Sequence, residues 1–450
     1  MRVFLQALGC RLNEAELETW SRDCRARGYG LADSAETADL VVINTCAVTA
    51  ESVRKSRQLI RRAQRGNPTA KLVVSGCYAS LDEAPPAAEL GIDLLVPNTD
   101  KDRLIEIAAE RLDLPVMPES ATGPGENPLL ARGRQRAFVK VQDGCRYRCT
   151  FCIVTRARGE ERSRPVDEVV EEVARIHASG IQEVVLAGVH LGGYGSDTGG
   201  DLAGLVRAVL ERTAIPRLRL GSLEPWELTP GFWSLFDNPR LMPHLHLPLQ
   251  SGADSVLRRM ARRCRTAEFR ALVTQARQAV PGFNVTTDII VGFPGETEAE
   301  WRQTLEFVDE IGFGHVHIFA YSPRAGTKAA TLPDPVPREV GRARSEALHA
   351  LAQRARLRVL QAAVGATHEV LVEGYDARAG TWSGYTPGYL RMAVHAPADA
   401  GLDNRILAVR ATGVSKDGER LDGLLLSPPT RARSADPAKI KYAALPGTPG

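Results

Sequence analysis

The sequence has no run of 18 or more apolar residues, which argues against a membrane-spanning helix. It opens on "MRVFLQALGC", without the apolar core or small-residue cleavage site of a secretory leader. The expected compartment is therefore cytoplasmic, where thiols stay reduced and clustered cysteines read as metal ligands rather than disulfides. Net charge is nearly absent: 57 Lys and Arg against 54 Asp and Glu leave +3. No global basic field marks the chain, and Arg-rich stretches at 54–65, 132–136, 156–164 and 258–265 could make local basic patches. No internal repeat is evident. Cysteine is scarce, with eight among 450 residues, and its placement is the most informative feature of the chain.

Hydrophobic content of 44% and charged content of 25% are ordinary for a globular protein, and the length allows two or three domains. In the first hundred residues, "RVFLQAL", "LVVINT" and "KLVVSG" are short β-branched runs. Amphipathic stretches at 14–27 and 50–64 separate them, which predicts a parallel sheet covered by helices. Cys10, Cys46 and Cys77 each follow one of these strands. Parallel strands end on one edge of a sheet, so the three thiols are expected to converge there.

A Pro- and Gly-rich linker is expected at 113–133. Strands at 137–141, 183–187, 217–221, 244–247, 285–291 and 315–320 follow, with helices such as 167–179, 202–212, 268–279 and 298–311 between them. Six β/α units over 134–362 predict a partial (β/α)6 barrel with its chemistry at the C-terminal strand ends. From 363 to 427 short strands and Gly, Asp and Asn turns predict a small β-barrel of the kind that holds oligonucleotides. The tail at 428–450 is expected to be disordered. The fold class is thus α/β, with a Rossmann-like parallel sheet first, the partial barrel second and the small β-barrel last.

"DGCRYRCTFCIVTRARG" (143–159) places Cys145, Cys149 and Cys152 just after the first barrel strand. Structural zinc uses four closed ligands, and neither a paired CxxC nor a nearby His pair completes this set. Soft thiolates suit iron–sulfur, and three ligands on a four-iron cubane leave one iron open for a reactive partner. Cys24 sits on an amphipathic helix and reads as packing, while Cys264 belongs to no motif. His244 and His246 alternate on one strand and read as polar strand residues rather than ligands.

"CRYRCTFC", with Phe151 before its last cysteine, resembles the cluster motif of radical S-adenosylmethionine enzymes. "GCRLNEAELE" (9–18), "NTCAVTAESVRKSRQ" (44–58), "VVSGCYA" (73–79) and "GFPGETEAEW" (292–301) resemble one branch of them, the methylthiotransferases. That resemblance spans nearly the whole chain. It implies two 4Fe–4S clusters, one on Cys145, Cys149 and Cys152 that binds and cleaves S-adenosylmethionine, and an auxiliary one on Cys10, Cys46 and Cys77. It implies a radical route for placing a methylthio group on an unactivated carbon, with a second S-adenosylmethionine giving the methyl group. The last barrel resembles a TRAM domain, an RNA-binding fold.

The resemblance also places S-adenosylmethionine across the strand ends, with Gly188, Ser222, Glu224, Gln250 and Asp288 as its expected contacts. Gly292, Pro294 and Gly295 read as turn residues. The stretches 44–68 and 321–337 look most like enzymes acting on threonylcarbamoyladenosine beside the tRNA anticodon. Isopentenyladenosine in tRNA and an aspartate of a small-subunit ribosomal protein are the alternatives within the branch. A passive RNA-binding iron–sulfur protein is the alternative outside it, and the missing fourth cysteine in each set argues against it. The expected partners are tRNA, an electron donor such as a flavodoxin and a sulfur donor, with no membrane.

Overall fold

The computed structural model describes residues 1–81, 90–118 and 135–426. The linker expected at 113–133 falls mostly, and the tail at 428–450 wholly, outside the described residues.

β1 (Arg2–Ala7), β2 (Gly30–Leu31), β3 (Leu40–Thr45), β4 (Lys71–Gly76) and β5 (Leu94–Leu95) form a wholly parallel sheet in the order β2-β1-β3-β4-β5. β3 is buried at every position, as a central parallel strand covered on both faces must be. The edge strands β2 and β5 were not expected; two residues are too few to carry a period. The helix Arg11–Ala26 follows β1, and Ala50–Gly66 follows β3. The second starts at a capping box in which Thr49 and Ser52 satisfy each other's backbone N–H.

The second region holds β6 (Arg136–Asp143), β7 (Arg162–Ser163), β8 (Glu183–Gly188), β9 (Arg217–Leu220), β10 (His244–His246), β11 (Asn284–Val291) and β12 (His315–Ala320). The ladders run β7-β6-β8-β9 and β10-β11-β12. Parallel bridges Leu218↔Leu241 and Ser222↔His246 join them, so six parallel strands curve into a partial barrel. Their outward residues, among them Val139, Val184, Leu218, Leu245 and Val285, pack under the helices as the largest core. Each such fully buried Val or Leu contributes roughly 1.5–3 kcal/mol. The helix Glu298–Ile311 has a Thr297/Glu300 capping box and stops at Gly312, whose φ of 64° is left-handed.

The 26-residue helix Arg338–Ala363 was not expected. Its buried stripe, Arg344, Leu348, Leu351, Ala355 and Leu360, is narrow within an Arg-rich surface, so no broad apolar face announces it. Leu360 leads into the core of the last region, a closed barrel of β13 (Thr367–Asp376), β14 (Thr381–Tyr385), β15 (Arg391–His395), β16 (Arg405–Val414) and β17 (Leu421–Leu425).

The closed barrel plugs the N-terminal end of the partial barrel. Arg217 donates to the carbonyls of Tyr385 (3.1 Å) and Glu369 (2.6 Å), and Arg219 to those of Pro387 (2.8 Å) and Thr386 (2.9 Å). Asn284 donates to Gly388 O at 2.8 Å. Arg136 and Arg219 lie against the Tyr389 ring at 5.1 and 4.8 Å, and His244 stacks on the same ring at 4.9 Å. Glu183, fully buried, pairs with Arg136, with Arg219 at 2.9 Å and with Arg217 at 3.7 Å. Burial opposes the Glu183 charge, but Arg219, Arg136 and Arg217 outweigh it and pull its pKa down to about 2.

Candidate active site: two three-cysteine loops across a domain boundary

Cys10, Cys46 and Cys77 follow β1, β3 and β4 directly, as the sheet topology requires. Gly9 adopts φ 112°, and a Cβ there would lie 2.9 Å from Cys46 Sγ. Only a residue without a side chain lets these two loops close on each other. Gly76, at φ 95°, likewise stands where a Cβ would meet Thr45 O at 2.4 Å. Ser56 fixes Cys46 from behind, accepting from its N–H at 3.2 Å and donating to its carbonyl at 2.9 Å. Burial pushes the Cys46 thiol up, and the nearby Cys77 adds to the effect. Cys77 acts in the same way on Cys10 and, across the domain boundary, on Cys152. Cys77 also packs in one buried apolar cluster with Ile153, the residue after Cys152, so the two cysteine sets meet across the boundary.

Cys145, Cys149 and Cys152 sit on the loop after β6. Gly144, at φ 75°, turns the chain where a Cβ would strike Glu160 O. Cys152 N–H donates to Cys149 O at 3.0 Å, and Cys145 N–H to Gly159 O at 3.1 Å. Thr150 ties the loop to Met260 O (3.0 Å) and Arg259 O (2.9 Å). Burial pushes Cys145 up to about 11 and Cys152 up to about 12. As free thiols all three are neutral; a bound cation would have to displace their protons.

Between the two sets lies a buried ion network. Arg158, 2% exposed, donates to Asn13 Oδ1 (2.8 Å), Glu16 Oε1 (3.1 Å) and Asp143 Oδ1 (3.0 Å). Lys101 Nζ, fully buried, reaches Glu16 at 2.5 Å and Asn98 Oδ1 at 2.9 Å. Lys140 adds a third cation near the same two carboxylates. Burial raises Glu16 and Asp143, but Arg158, Lys101 and Lys140 outweigh it and hold both ionised. Burial likewise opposes the Arg158 charge, while Cys77, Glu16 and Asp143 keep it protonated. Lys140 also pairs with Asp102, so three cations meet three carboxylates, and it is the Arg158 guanidinium that lies next to Cys10 and Cys77, where it suits an anionic thiolate-ligated cluster.

A second ring of side chains surrounds Cys145 and Cys149. Arg262 comes within 3.9 Å of Cys149 Sγ, pairs with Glu224 at 3.0 and 2.6 Å, and covers the Trp226 ring at 4.6 Å. Tyr147 donates to Glu227 at 2.8 Å and accepts from Trp226 at 2.9 Å. His190 is held between Glu161 and Glu227, and burial's pull on its pKa is outweighed by these carboxylates, so it is raised. Sequence reasoning singled out none of Arg158, Glu161, His190, Glu227 or Arg262. "RARGEERSR" and "GVHLGG" held the signal, but the partners come from distant elements.

The expected S-adenosylmethionine contacts separate. Ser222 is exposed on the inner face and bridges to His246. Gly188 faces Gln142, whose Oε1 would be 2.9 Å from a Cβ there. Gln250 adopts φ 78°, and its N–H donates to Asp288 O at 2.8 Å. Glu224 is engaged by Arg262, and Asp288 pairs with His246 Nε2 at 3.1 Å. His244 and His246 both meet Thr286 Oγ1, at 3.1 and 2.9 Å, as polar strand residues. Cys24 is packing in the first core and Cys264 in the barrel core.

An open six-stranded β/α barrel carrying CxxxCxxC after its first strand defines a radical S-adenosylmethionine enzyme, and the comparisons agree. The radical SAM superfamily model matches residues 139–308, and that of uncharacterized protein family UPF0004 matches 2–96. The chain is 34% identical over 86% of its length to threonylcarbamoyladenosine tRNA methylthiotransferase MtaB of Thermotoga maritima, covering 90% of that protein. It is 35% identical over 92% of its length to the protein of the same name from Chlamydia pneumoniae, covering 96% of it. It is also 36% identical over 93% of its length to the tRNA-2-methylthio-N(6)-dimethylallyladenosine synthase of Anaeromyxobacter sp. strain K, covering 94% of it. In fold it is similar to the radical S-adenosylmethionine methyltransferase TsrM of Kitasatospora setae, at a TM-score of 0.54 and 16% identity, over 71% of this chain and 72% of that one.

The chain belongs to the radical SAM methylthiotransferase family. It is accordingly an enzyme that uses S-adenosylmethionine and two 4Fe–4S clusters. No helix among the described residues is long and apolar enough to cross a membrane.

Proposed function

We propose that this enzyme adds a methylthio group to carbon 2 of N6-threonylcarbamoyladenosine next to the anticodon in tRNA. The observation that carries the reading is the meeting of two three-cysteine loops from different regions: Cys77 packs in one apolar cluster with Ile153, the residue after Cys152, and Arg158 donates to Asn13 and Glu16 on the helix that follows Cys10. Both donor sets fit an open cubane: each offers three thiols with no fourth cysteine among the described residues, and the buried Arg158 guanidinium stands beside Cys10 and Cys77. Cys145, Cys149 and Cys152 would hold the S-adenosylmethionine-binding cluster, and Cys10, Cys46 and Cys77 the auxiliary one. When bound, the pair supplies radical generation at one open iron and a sulfur-carrying position at the other.

The chain's own residues position and shield. Thr150 and Arg262 fix the Cys149 loop, and Glu224 orients Arg262. Gly188, Ser222 and Gln250 would stand toward S-adenosylmethionine, while Glu224 and Asp288 act through their protein partners. Residues 1–112 would carry the auxiliary site, 134–362 the radical chemistry and 363–427 a TRAM-like RNA contact. The Ala50–Gly66 helix exposes Arg54, Lys55, Arg61, Arg62 and Arg65, and suits RNA phosphates beside the site. A cytoplasmic location and separate electron and sulfur donors complete the proposal.

The three curated relatives divide between threonylcarbamoyl- and dimethylallyladenosine enzymes at almost the same identity. An isopentenyl-type substrate is therefore the second reading. Mass spectrometry of tRNA nucleosides from cells with and without the gene tests both. Loss of 2-methylthio-threonylcarbamoyladenosine supports the first, and loss of the isopentenyl form supports the second.

A further inference from the structure

The inner wall of the partial barrel carries a row of polar groups with no part in the cysteine network. Asp288 on β11 stands in register with His317 on β12, and Ile290 with Phe319. His246 Nε2 is 3.1 Å from Asp288 Oδ1, and the His246 and His317 rings meet edge to face at 5.4 Å. One ligand atom from each of His246, Asp288 and His317 lies within 4.8 Å of the others. His317 is exposed, and neither ring nitrogen has a hydrogen-bond partner among the described residues. Phe319, on the same face and one step nearer the mouth, is 44% exposed.

Below this wall lies Arg11, carried in by the residue after Cys10. Its guanidinium lies 5.8 Å from the Phe138 ring and 5.7 Å from the Tyr389 ring, and donates to Tyr389 Oη at 3.3 Å. It has no carboxylate partner among the described residues. Burial, His246 and Arg11 all disfavour a charge on His317, and Asp288 does not reverse them, so its pKa is lowered. A neutral imidazole offers one N–H donor, and Arg11 offers the fixed positive charge.

An exposed aromatic ring at the lip, one unpartnered imidazole on the wall and a guanidinium at the floor describe a site for a flat base bearing an anionic arm. We propose that His317 and Arg11 bind the carboxylate of the threonylcarbamoyl arm, with Phe319 stacking on the adenine. The proposal rests on the substrate reading above and makes that reading specific: an apolar isopentenyl arm would leave these donors unanswered. The Asp288 carboxylate, held by His246, is an acceptor for the hydroxyl or N–H groups of the same arm. His317 and Arg11 are specificity-determining residues here.

The test is equilibrium binding of labelled anticodon stem–loops to the reconstituted full-length enzyme without reductant. The loops carry threonylcarbamoyladenosine, the same nucleoside with its carboxylate as a carboxamide, or isopentenyladenosine. Wild type is expected to prefer the carboxylate over the carboxamide by about tenfold or more. His317→Leu and Arg11→Gln should each shrink that ratio toward one at unchanged iron content, and His317→Gln, which keeps a donor, should restore part of it. An unchanged ratio in both His317→Leu and Arg11→Gln overturns the pocket. So does a stoichiometric zinc or manganese ion held by wild type and lost in His317→Leu, which would make the triad a metal site. A wild-type enzyme that binds the isopentenyl loop and ignores the acidic one overturns the substrate reading instead.

Discussion

The two ends of the partial barrel are built on opposite principles. At the N-terminal end, Glu183, Arg136, Arg217 and Arg219 are almost wholly buried, and loop carbonyls of the small β-barrel take up the guanidinium donors. At the C-terminal end, His317 and Phe319 are open to solvent and three cysteines lie on one loop. One end is closed by buried ion pairs and backbone carbonyls, and the other keeps an exposed imidazole and an exposed aromatic ring. The small β-barrel therefore contributes to the radical domain's structure directly.

The most damaging way to break the contrast is Glu183→Ala. It leaves Arg217 and Arg219 in a buried site without their carboxylate and Arg136 with Glu373 alone, and should cost about 3–5 kcal/mol, read from urea midpoints. A loss below about 1 kcal/mol would mean that the carbonyls alone hold the plug. Next comes Arg158→Met in the ion network behind the cysteines. It exposes Glu16 and Asp143 to each other and should cost about 2–4 kcal/mol, while lowering iron retention at Cys10, Cys46 and Cys77. Retention unchanged from wild type would separate that network from the auxiliary site.

Acid acts on the same plug. Glu183 has a folded pKa of about 2, below its ordinary value of 4.5. Its stabilisation is complete above pH about 4.5 and is lost as pH falls from there toward about 2. The urea midpoint should drop over that window in wild type, and less in Glu183→Gln. At the other end, Phe319→Ala should leave the midpoint within about 0.5 kcal/mol of wild type. Its effect should appear instead in weaker binding of the modified stem–loop. A large stability loss would mean that Phe319 is core, and would remove the distinction between the ends.

Much of the architecture was legible in the sequence because its strands are strongly patterned. The expected segments 40–45, 71–76 and 315–320 coincide with β3, β4 and β12, and 202–212 and 298–311 with their helices. The place of Cys10, Cys46, Cys77 and Cys145 shortly past strand ends was readable from the strand pattern. What stayed hidden has a common cause. Arg338–Ala363 buries too narrow a stripe to show a period. Arg158, Glu161, His190 and Arg262 take their meaning from partners that only the fold brings near. The seating of Tyr385–Tyr389 in the barrel floor depends on backbone carbonyls, which no side-chain pattern encodes.

The central claim, that two separate sulfur cages must both be loaded for the reaction, is tested most directly with anaerobically reconstituted Cys46→Ala. Cleavage of S-adenosylmethionine and formation of thiomethylated nucleoside are to be measured in the same reaction. The account predicts about half the wild-type iron, continued 5′-deoxyadenosine formation and no thiomethylated product. Product formed at the wild-type rate would contradict it.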